Sequence, residues 1–245
     1  MHCRETKNHA EVAVSASLIC SDLCNLETSV RELEEAKVDF LHIDLIDAHF
    51  SPSMPMGIEI VQQLRKKTNL PFDVHLMVHN NEFFIAEMAK LGVQRLCFHY
   101  ESALHVDRLL NTIKSFNIEA GIALLPTTPL SVLDYCLDRI DYVLLMLINP
   151  GFAGHADESQ VPYAERRIRD CEKYLRDRGA NIPIEIDGRV SFDGIPALVA
   201  AGAGILVGGT SCLFHKSARV GENMKKTREA ISMGLERKGE GNKGL

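Results

Sequence analysis

The sequence shows no pairing pattern among its cysteines. Its 7 thiols, at Cys3, Cys20, Cys24, Cys97, Cys136, Cys171 and Cys212, are odd in number and scattered, and none forms a Cys-x-x-Cys pair. A disulfide framework is therefore excluded, and reduced thiols in a cytoplasmic protein are the expectation. Cys97 and Cys136 lie in apolar segments and are expected to fill the core, Cys3 is expected to be exposed, and none is given a catalytic role. Long apolar runs are also missing: no stretch reaches the roughly 18 residues of a membrane span. Met1 to Ala10 is polar, so neither a secretory signal nor an anchor is expected there. Positive charge is in deficit, since 27 Lys and Arg against 33 Asp and Glu give −6. That balance argues against nucleic acid and anionic membranes as partners, and leaves room for a small anion held by a local site.

What is present suits one large core: 245 residues at 46% hydrophobic content. Apolar strand-like runs begin near residues 12, 40, 72, 95, 119, 142, 184 and 205, and each is followed by a segment read as a helix: Leu26 to Ala36, Ile58 to Lys67, Glu82 to Leu91, His105 to Phe116, Leu130 to Leu137, Tyr163 to Arg178, Gly194 to Ala201 and Val220 to Leu235. Eight such units predict a single α/β domain, a (β/α)8 TIM barrel. Residues 1–11 are expected to be a polar leader, 12–236 the barrel and 237–245 a disordered tail.

The stretch Phe40-Leu41-His42-Ile43-Asp44-Leu45-Ile46-Asp47 organises the rest. Side chains alternate faces along a strand, so His42 and Asp44 point one way and Leu41, Ile43 and Leu45 the other. By the same parity His75 opposes Val74 and Leu76, and Asp187 opposes Ile184 and Ile186. All four polar residues fall at strand ends, where barrel enzymes place their chemistry. Carboxylates facing a barrel interior are costly without a counter-charge. Two imidazoles and two carboxylates make a four-ligand nitrogen/oxygen site for one divalent metal. Asp73 and Glu185 share the parity one layer lower and are expected to support the ligands through hydrogen bonds. His99 is expected to be supporting or structural, Asp47 to cap the loop after strand 2, and Arg166, Arg167 and Arg169 to form a solvated helix face.

After strands 7 and 8, Asp187-Gly188-Arg189 and Val207-Gly208-Gly209-Thr210-Ser211 let backbone N–H groups converge on a phosphate. A phosphorylated substrate is the expectation. The long interval between strands 6 and 7 contains Asn149-Pro150-Gly151-Phe152-Ala153-Gly154-His155, which reads as a lid.

These segments carry a resemblance. Ala16-Ser17-Leu18-Ile19, His42 to Asp47, Asp73-Val74-His75-Leu76-Met77, Asn149-Pro150-Gly151-Phe152, Glu185-Ile186-Asp187-Gly188 and Val207 to Ser211 resemble, in register from about Val14 to about Leu235, the signature segments of the ribulose-phosphate 3-epimerase family. The resemblance implies a ribulose-phosphate-binding (β/α)8 barrel that inverts carbon 3 of a ketose phosphate with one divalent ion, zinc, iron, manganese or cobalt. It implies His42, Asp44, His75 and Asp187 as metal ligands, with Asp44 and Asp187 also the acid/base pair. It implies Ser17 and His75 at the substrate, Gly151, Phe152, Ala153 and Gly154 over it, and Gly188, Gly208, Gly209 and Thr210 on the phosphate; Arg189, a departure from the family pattern, is expected either to add a charge-assisted contact to the phosphate or to crowd the loop and alter the substrate. Met77 and Met146 are expected to wall the intermediate. The expected assembly is a homo-oligomer, and the expected partner a small phosphorylated ketose.

The chemistry explains the residue set. A proton on carbon 3 beside a ketone is weakly acidic, so a Lewis acid must stabilise the enediolate by several kcal/mol. Inversion removes a proton from one face and returns one to the other, which two carboxyl groups accomplish, each contributing roughly 10²- to 10⁴-fold. The family pattern has glycine where Ala48 stands, Gly-Gly-Gln where Ala153-Gly154-His155 stands, and a second glycine where Arg189 stands. Ala153 and the run Gly209 to Phe214 are similar to the related allulose-6-phosphate 3-epimerases, so two substrates remain in view. The leading one is D-ribulose 5-phosphate, interconverted with D-xylulose 5-phosphate; the alternative is D-allulose 6-phosphate, interconverted with D-fructose 6-phosphate. An orotidine-type decarboxylase needs Asp-x-Lys where this chain has His42-Ile43-Asp44. A non-catalytic sugar-phosphate-binding barrel tolerates loss of an acid/base carboxylate, and both are retained here.

Overall fold

The computed structural model describes residues 12–151 and 159–241. Eight parallel strands close into a barrel in chain order: β1 (Ala13–Ser17), β2 (Phe40–Ile46), β3 (Phe72–Met77), β4 (Arg95–His99), β5 (Glu119–Leu124), β6 (Tyr142–Met146), β7 (Ile184–Asp187) and β8 (Ile205–Gly208), with β8 returning to β1. Among the described residues seven α-helices follow strands: α1 (Leu26–Glu35), α2 (Ile58–Arg65), α3 (Asn81–Lys90), α4 (Val106–Ser115), α5 (Ala164–Asp177), α6 (Ile195–Ala200) and α7 (Val220–Gly241). The expected TIM barrel is the observed architecture.

Helical periodicity puts Ala164, Ile168, Cys171 and Leu175 on one stripe of α5, and Leu109, Leu110 and Ile113 on one stripe of α4. These stripes join the outward strand residues Leu41, Ile43, Leu45, Val74 and Leu76 in one core. Each such side chain contributes about 1.5–3 kcal/mol through burial. Inside the barrel a separate, smaller cluster forms from Cys97, Ala123, Tyr142, Leu144 and Met146. With apolar chains facing the helices, the inward faces of β2, β3 and β7 are left to polar residues.

Three expectations need correction. The segment Leu130 to Leu137 is not an α-helix but a 3-10 turn over Leu130–Leu133 followed by irregular turns. Pro126 and Pro129 lack donors, and Pro129 is held extended (φ −60°, ψ 141°), which leaves too short a run before β6 for a helix to propagate. At the carboxyl end, α7 continues through Gly241, so residues 237–241, expected in a disordered tail, are helical; Glu236, Arg237 and Lys238 are all good helix formers. Arg166 and Arg169 are exposed, but Arg167 is half-buried and donates to the Thr128 carbonyl. The leader (1–11), the lid residues Phe152, Ala153, Gly154 and His155, and residues 242–245 lie outside the described residues. Among the described residues no helix is long and apolar enough to cross a membrane.

Candidate active site and metal centre

Sheet register brings the candidate ligands together. Ser17 pairs with His42, His42 with Asp73, and Asp44 with His75, while Asp187 ends β7 level with Met146. One ligand atom from each of His42, Asp44, His75 and Asp187 lies within 4.8 Å of the others. Asp44 Oδ1 stands 3.4 Å from His42 Nε2 and 3.4 Å from His75 Nδ1, and Asp187 Oδ2 stands 3.8 Å from the same Nδ1. Such separations are bridged by an ion with bonds of about 2.0–2.2 Å.

Two observations test whether the residues fit a cation. His42 Nε2 and His75 Nδ1 are buried and have no hydrogen-bond partner among the described residues, an expensive condition unless a ligand occupies them. The field is also strongly negative: burial opposes a charge on His42, yet Asp44 and Asp73 lift its pKa well above the ordinary histidine value. A divalent ion answers both.

Each imidazole is aimed by a second group. Asp73 Oδ2 accepts from His42 Nδ1 at 2.9 Å and from Ser15 Oγ at 2.7 Å, which leaves His42 Nε2 pointing up into the site. Asp73 therefore has the supporting position expected of it. His75 Nε2 lies 2.9 Å from His99 Nε2, and His99 Nδ1 lies 3.2 Å from Glu101 Oε2. Glu185 sits beside Asp73 and His42, 3.7 Å from His42 Nδ1, and faces Arg95, not the cleft.

The two aspartates are driven apart in proton affinity. Burial raises Asp44, but His42 and His75 outweigh it and hold the carboxyl well below the usual range. Burial, then the neighbouring Asp44 charge, pushes Asp187 above that range. The Asp44 carboxyl is held low and that of Asp187 is raised, the opposite directions that suit a base and an acid.

Above them opens a cleft lined by Ser17, Cys20, Asp44, Met77, Met146, Gly151, Asp187, Gly188, Arg189, Gly209 and Thr210 among others. Ser17 Oγ donates to Asp44 Oδ2 at 2.9 Å, so the serine orients the carboxylate at the cleft wall. Gly188 has φ +116°, and a Cβ there would meet Ile148 at 2.7 Å, so only glycine fits. Gly208 ends β8 and packs against Leu213 beneath the cleft. Asp47 accepts from the backbone N–H groups of His49, Phe50 and His79, the loop cap expected of it.

Sequence reasoning did not find Glu101, Gln160 or Cys20 in this region. Gln160 Nε2 donates to the carbonyls of Gly188 and Arg189 (2.8 and 3.1 Å), clamping the loop after β7. Glu101 had a signal, standing two residues beyond His99 at the end of β4; Gln160 had none.

Comparison with known proteins agrees with this geometry. The model of the Ribulose-phosphate 3 epimerase family matches residues 13–214. The chain is 35% identical over 219 residues to the ribulose-phosphate 3-epimerase of Methanocaldococcus jannaschii, covering 89% of this chain and 91% of that protein. It is 35% identical to the ribulose-phosphate 3-epimerase of Bacillus subtilis (85% and 94% covered) and 38% identical to the chloroplastic ribulose-5-phosphate-3-epimerase of Arabidopsis thaliana (84% and 73%). Among solved structures, a tryptophan synthase α-subunit mutant from Pyrococcus furiosus superimposes with TM-score 0.62 at 15% identity, covering 91% of this chain and 98% of that one, a likeness of fold alone. The chain belongs to the ribulose-phosphate 3-epimerase family and is an epimerase of the isomerase class.

Proposed function

We propose that this enzyme interconverts D-ribulose 5-phosphate and D-xylulose 5-phosphate, with Asp44 and Asp187 exchanging the proton at carbon 3. His42, Asp44, His75 and Asp187 are the proposed ligands of one divalent ion. The observation that carries the reading is the meeting of two carboxyls, shifted in opposite directions in proton affinity, beside two buried imidazole nitrogens without a hydrogen-bond partner among the described residues. The names of the relatives supply the substrate class.

When bound, the ion supplies Lewis-acid polarisation of the substrate oxygens next to carbon 3. The side chains do the rest. Asp44 turns Oδ1 toward the two imidazoles and Oδ2 toward Ser17, so one oxygen serves the ligand set and the other is available to take a proton. Asp187 holds a proton to deliver to the opposite face, and the roles exchange in the reverse direction. Met77 and Met146 exclude water from the reacting carbon. Gly188, Gly209 and Thr210, with Arg189 at the rim, hold the phosphate.

The run Gly209 to Phe214 favours a second reading, a six-carbon ketose phosphate at the same site. Measuring kcat/KM for ribulose 5-phosphate beside allulose 6-phosphate, with deuterium uptake from solvent at carbon 3, decides. Uptake and turnover on the pentose are expected to dominate; a preference for the hexose reverses the substrate, and no uptake on either leaves a binder.

A further inference from the structure

The two imidazoles turn different nitrogens toward the proposed ion: His42 presents Nε2 and His75 presents Nδ1. For His42 the reason is immediate, because a carboxylate can only accept, so Asp73 takes the Nδ1 proton and Nε2 keeps its lone pair. His75 has no carboxylate on its far side. It meets another imidazole, His99, at 2.9 Å between the two Nε2 atoms, and a contact of that length requires a proton on one nitrogen and a lone pair on the other.

Which ring carries it follows from the next partner. Glu101 Oε1 accepts from the Leu125 backbone N–H at 2.8 Å and from the Thr128 hydroxyl, while Oε2 faces His99 Nδ1 at 3.2 Å. A carboxylate so engaged is an acceptor at every contact, so His99 donates from Nδ1 and its Nε2 is the acceptor. His75 must then donate from Nε2, and the lone pair is left on Nδ1, the buried atom that lacks a partner and faces Asp44 and Asp187. Packing fixes the rings in this order: His99 is fully buried, its centroid 5.0 Å from that of His75 and 4.5 Å from that of Phe50.

We infer that Glu101 and His99 form a positioning relay that commits His75 to bind the ion through Nδ1. The relay rests on the reading of His75 as a ligand. Its end is anchored in the loop after β5, where the Thr128 carbonyl is in turn held by Arg167 of α5. Neither Glu101 nor His99 touches the reacting atoms. Without the relay, His75 is free to take the other tautomer and present a proton to the ion.

The test reads zinc affinity by competition with a chromophoric chelator, and imidazole tautomers by long-range ¹H–¹⁵N spectra of the zinc-loaded protein. In the wild type, His75 is expected to carry its proton on Nε2 and His99 on Nδ1; the reverse assignment overturns the relay without any variant. His99→Leu and Glu101→Leu are expected to weaken zinc binding about 10- to 100-fold. His99→Gln, whose amide oxygen accepts from His75 while its NH₂ faces Glu101, is expected to stay within about threefold of the wild type by the same logic. Unchanged zinc affinity in His99→Leu, with His75→Ala still losing the ion, overturns the relay and spares the ligand. Zinc affinity untouched by His75→Ala overturns both.

Discussion

The upper end of the barrel gathers Asp44, Asp187, His42 and His75 around a gap, whereas one layer below, Asp73 and Glu185 gather around Arg95. Both clusters are buried and both hold two carboxyls. In the lower one Arg95 Nη2 lies 3.4 Å from Glu185 and Nη1 3.8 Å from Asp73, while Nε reaches Glu119 at 3.2 Å. Its guanidinium lies 3.9 Å from the centroid of the Tyr142 ring, and Gly121 makes room for that ring, since a Cβ there would come within 2.4 Å of it. Such an arrangement carries its cation covalently. The upper cluster has no arginine or lysine in its ligand set and leaves two ring nitrogens unsatisfied. His42 joins the layers, bonded downward to Asp73 and open upward. The lower layer carries its own counter-charge, and under the proposed function it is the upper layer that takes up a cation and moves a proton.

The largest expected effects come from breaking the upper layer. Asp44→Asn and Asp187→Asn are each expected to lower kcat by about 10²- to 10⁴-fold, with far-UV circular dichroism and the urea midpoint close to wild type. Activity near wild type in either variant removes that residue from the proton path. Treatment with a strong chelator is expected to abolish turnover and leave the barrel folded, with activity returning on addition of a divalent ion. A chelated enzyme that keeps full turnover would erase the distinction between the layers.

Breaking the lower layer is expected to act on stability instead. Arg95→Met removes the counter-charge from two fully buried carboxyls, a change that costs roughly 3–5 kcal/mol. Urea unfolding measures it, and a loss under about 1 kcal/mol shows that the layer does not depend on its arginine.

The asymmetry between layers was only partly legible in the sequence. Strand parity fixed which residues face inward, so His42, Asp44, His75, Asp187 and the supporting Asp73 were all readable from the period-2 pattern. Arg95 was not, because a charged residue opening a strand reads equally well as an exposed end. Its inward direction follows from pairing with Asp73 and Glu119 on the neighbouring strands. Glu101 was missed for a similar reason, as its partners Leu125 and Thr128 belong to the next β-loop. Ala48 and Arg189 were legible as departures from a glycine pattern but not as conformations. The structure keeps both in the left-handed region, φ 60° and 51°, at a cost of about 1–2 kcal/mol each.

The smallest effect sharpens the comparison most, because it asks how the lower layer balances two acids with one arginine. Burial, then the charge of Asp73, raises Glu185 well above the ordinary carboxyl range. Asp73 moves the other way: against burial, Arg95 and His42 hold it below that range. Stability from Asp73 is therefore present above its unfolded value of about 3.9 and is lost as pH falls through the folded one. For Glu185 the sign reverses. Stability is complete below its unfolded value of about 4.3 and declines as pH rises toward the folded one, by up to about 1.4 kcal/mol per unit. Glu185→Gln removes that second window alone, so its unfolding free energy is expected to fall less steeply than wild type as pH rises above about 4.3. A parallel pH profile in the variant means that Glu185 is ionised in the folded state, and that the lower layer holds two full negative charges against Arg95 alone.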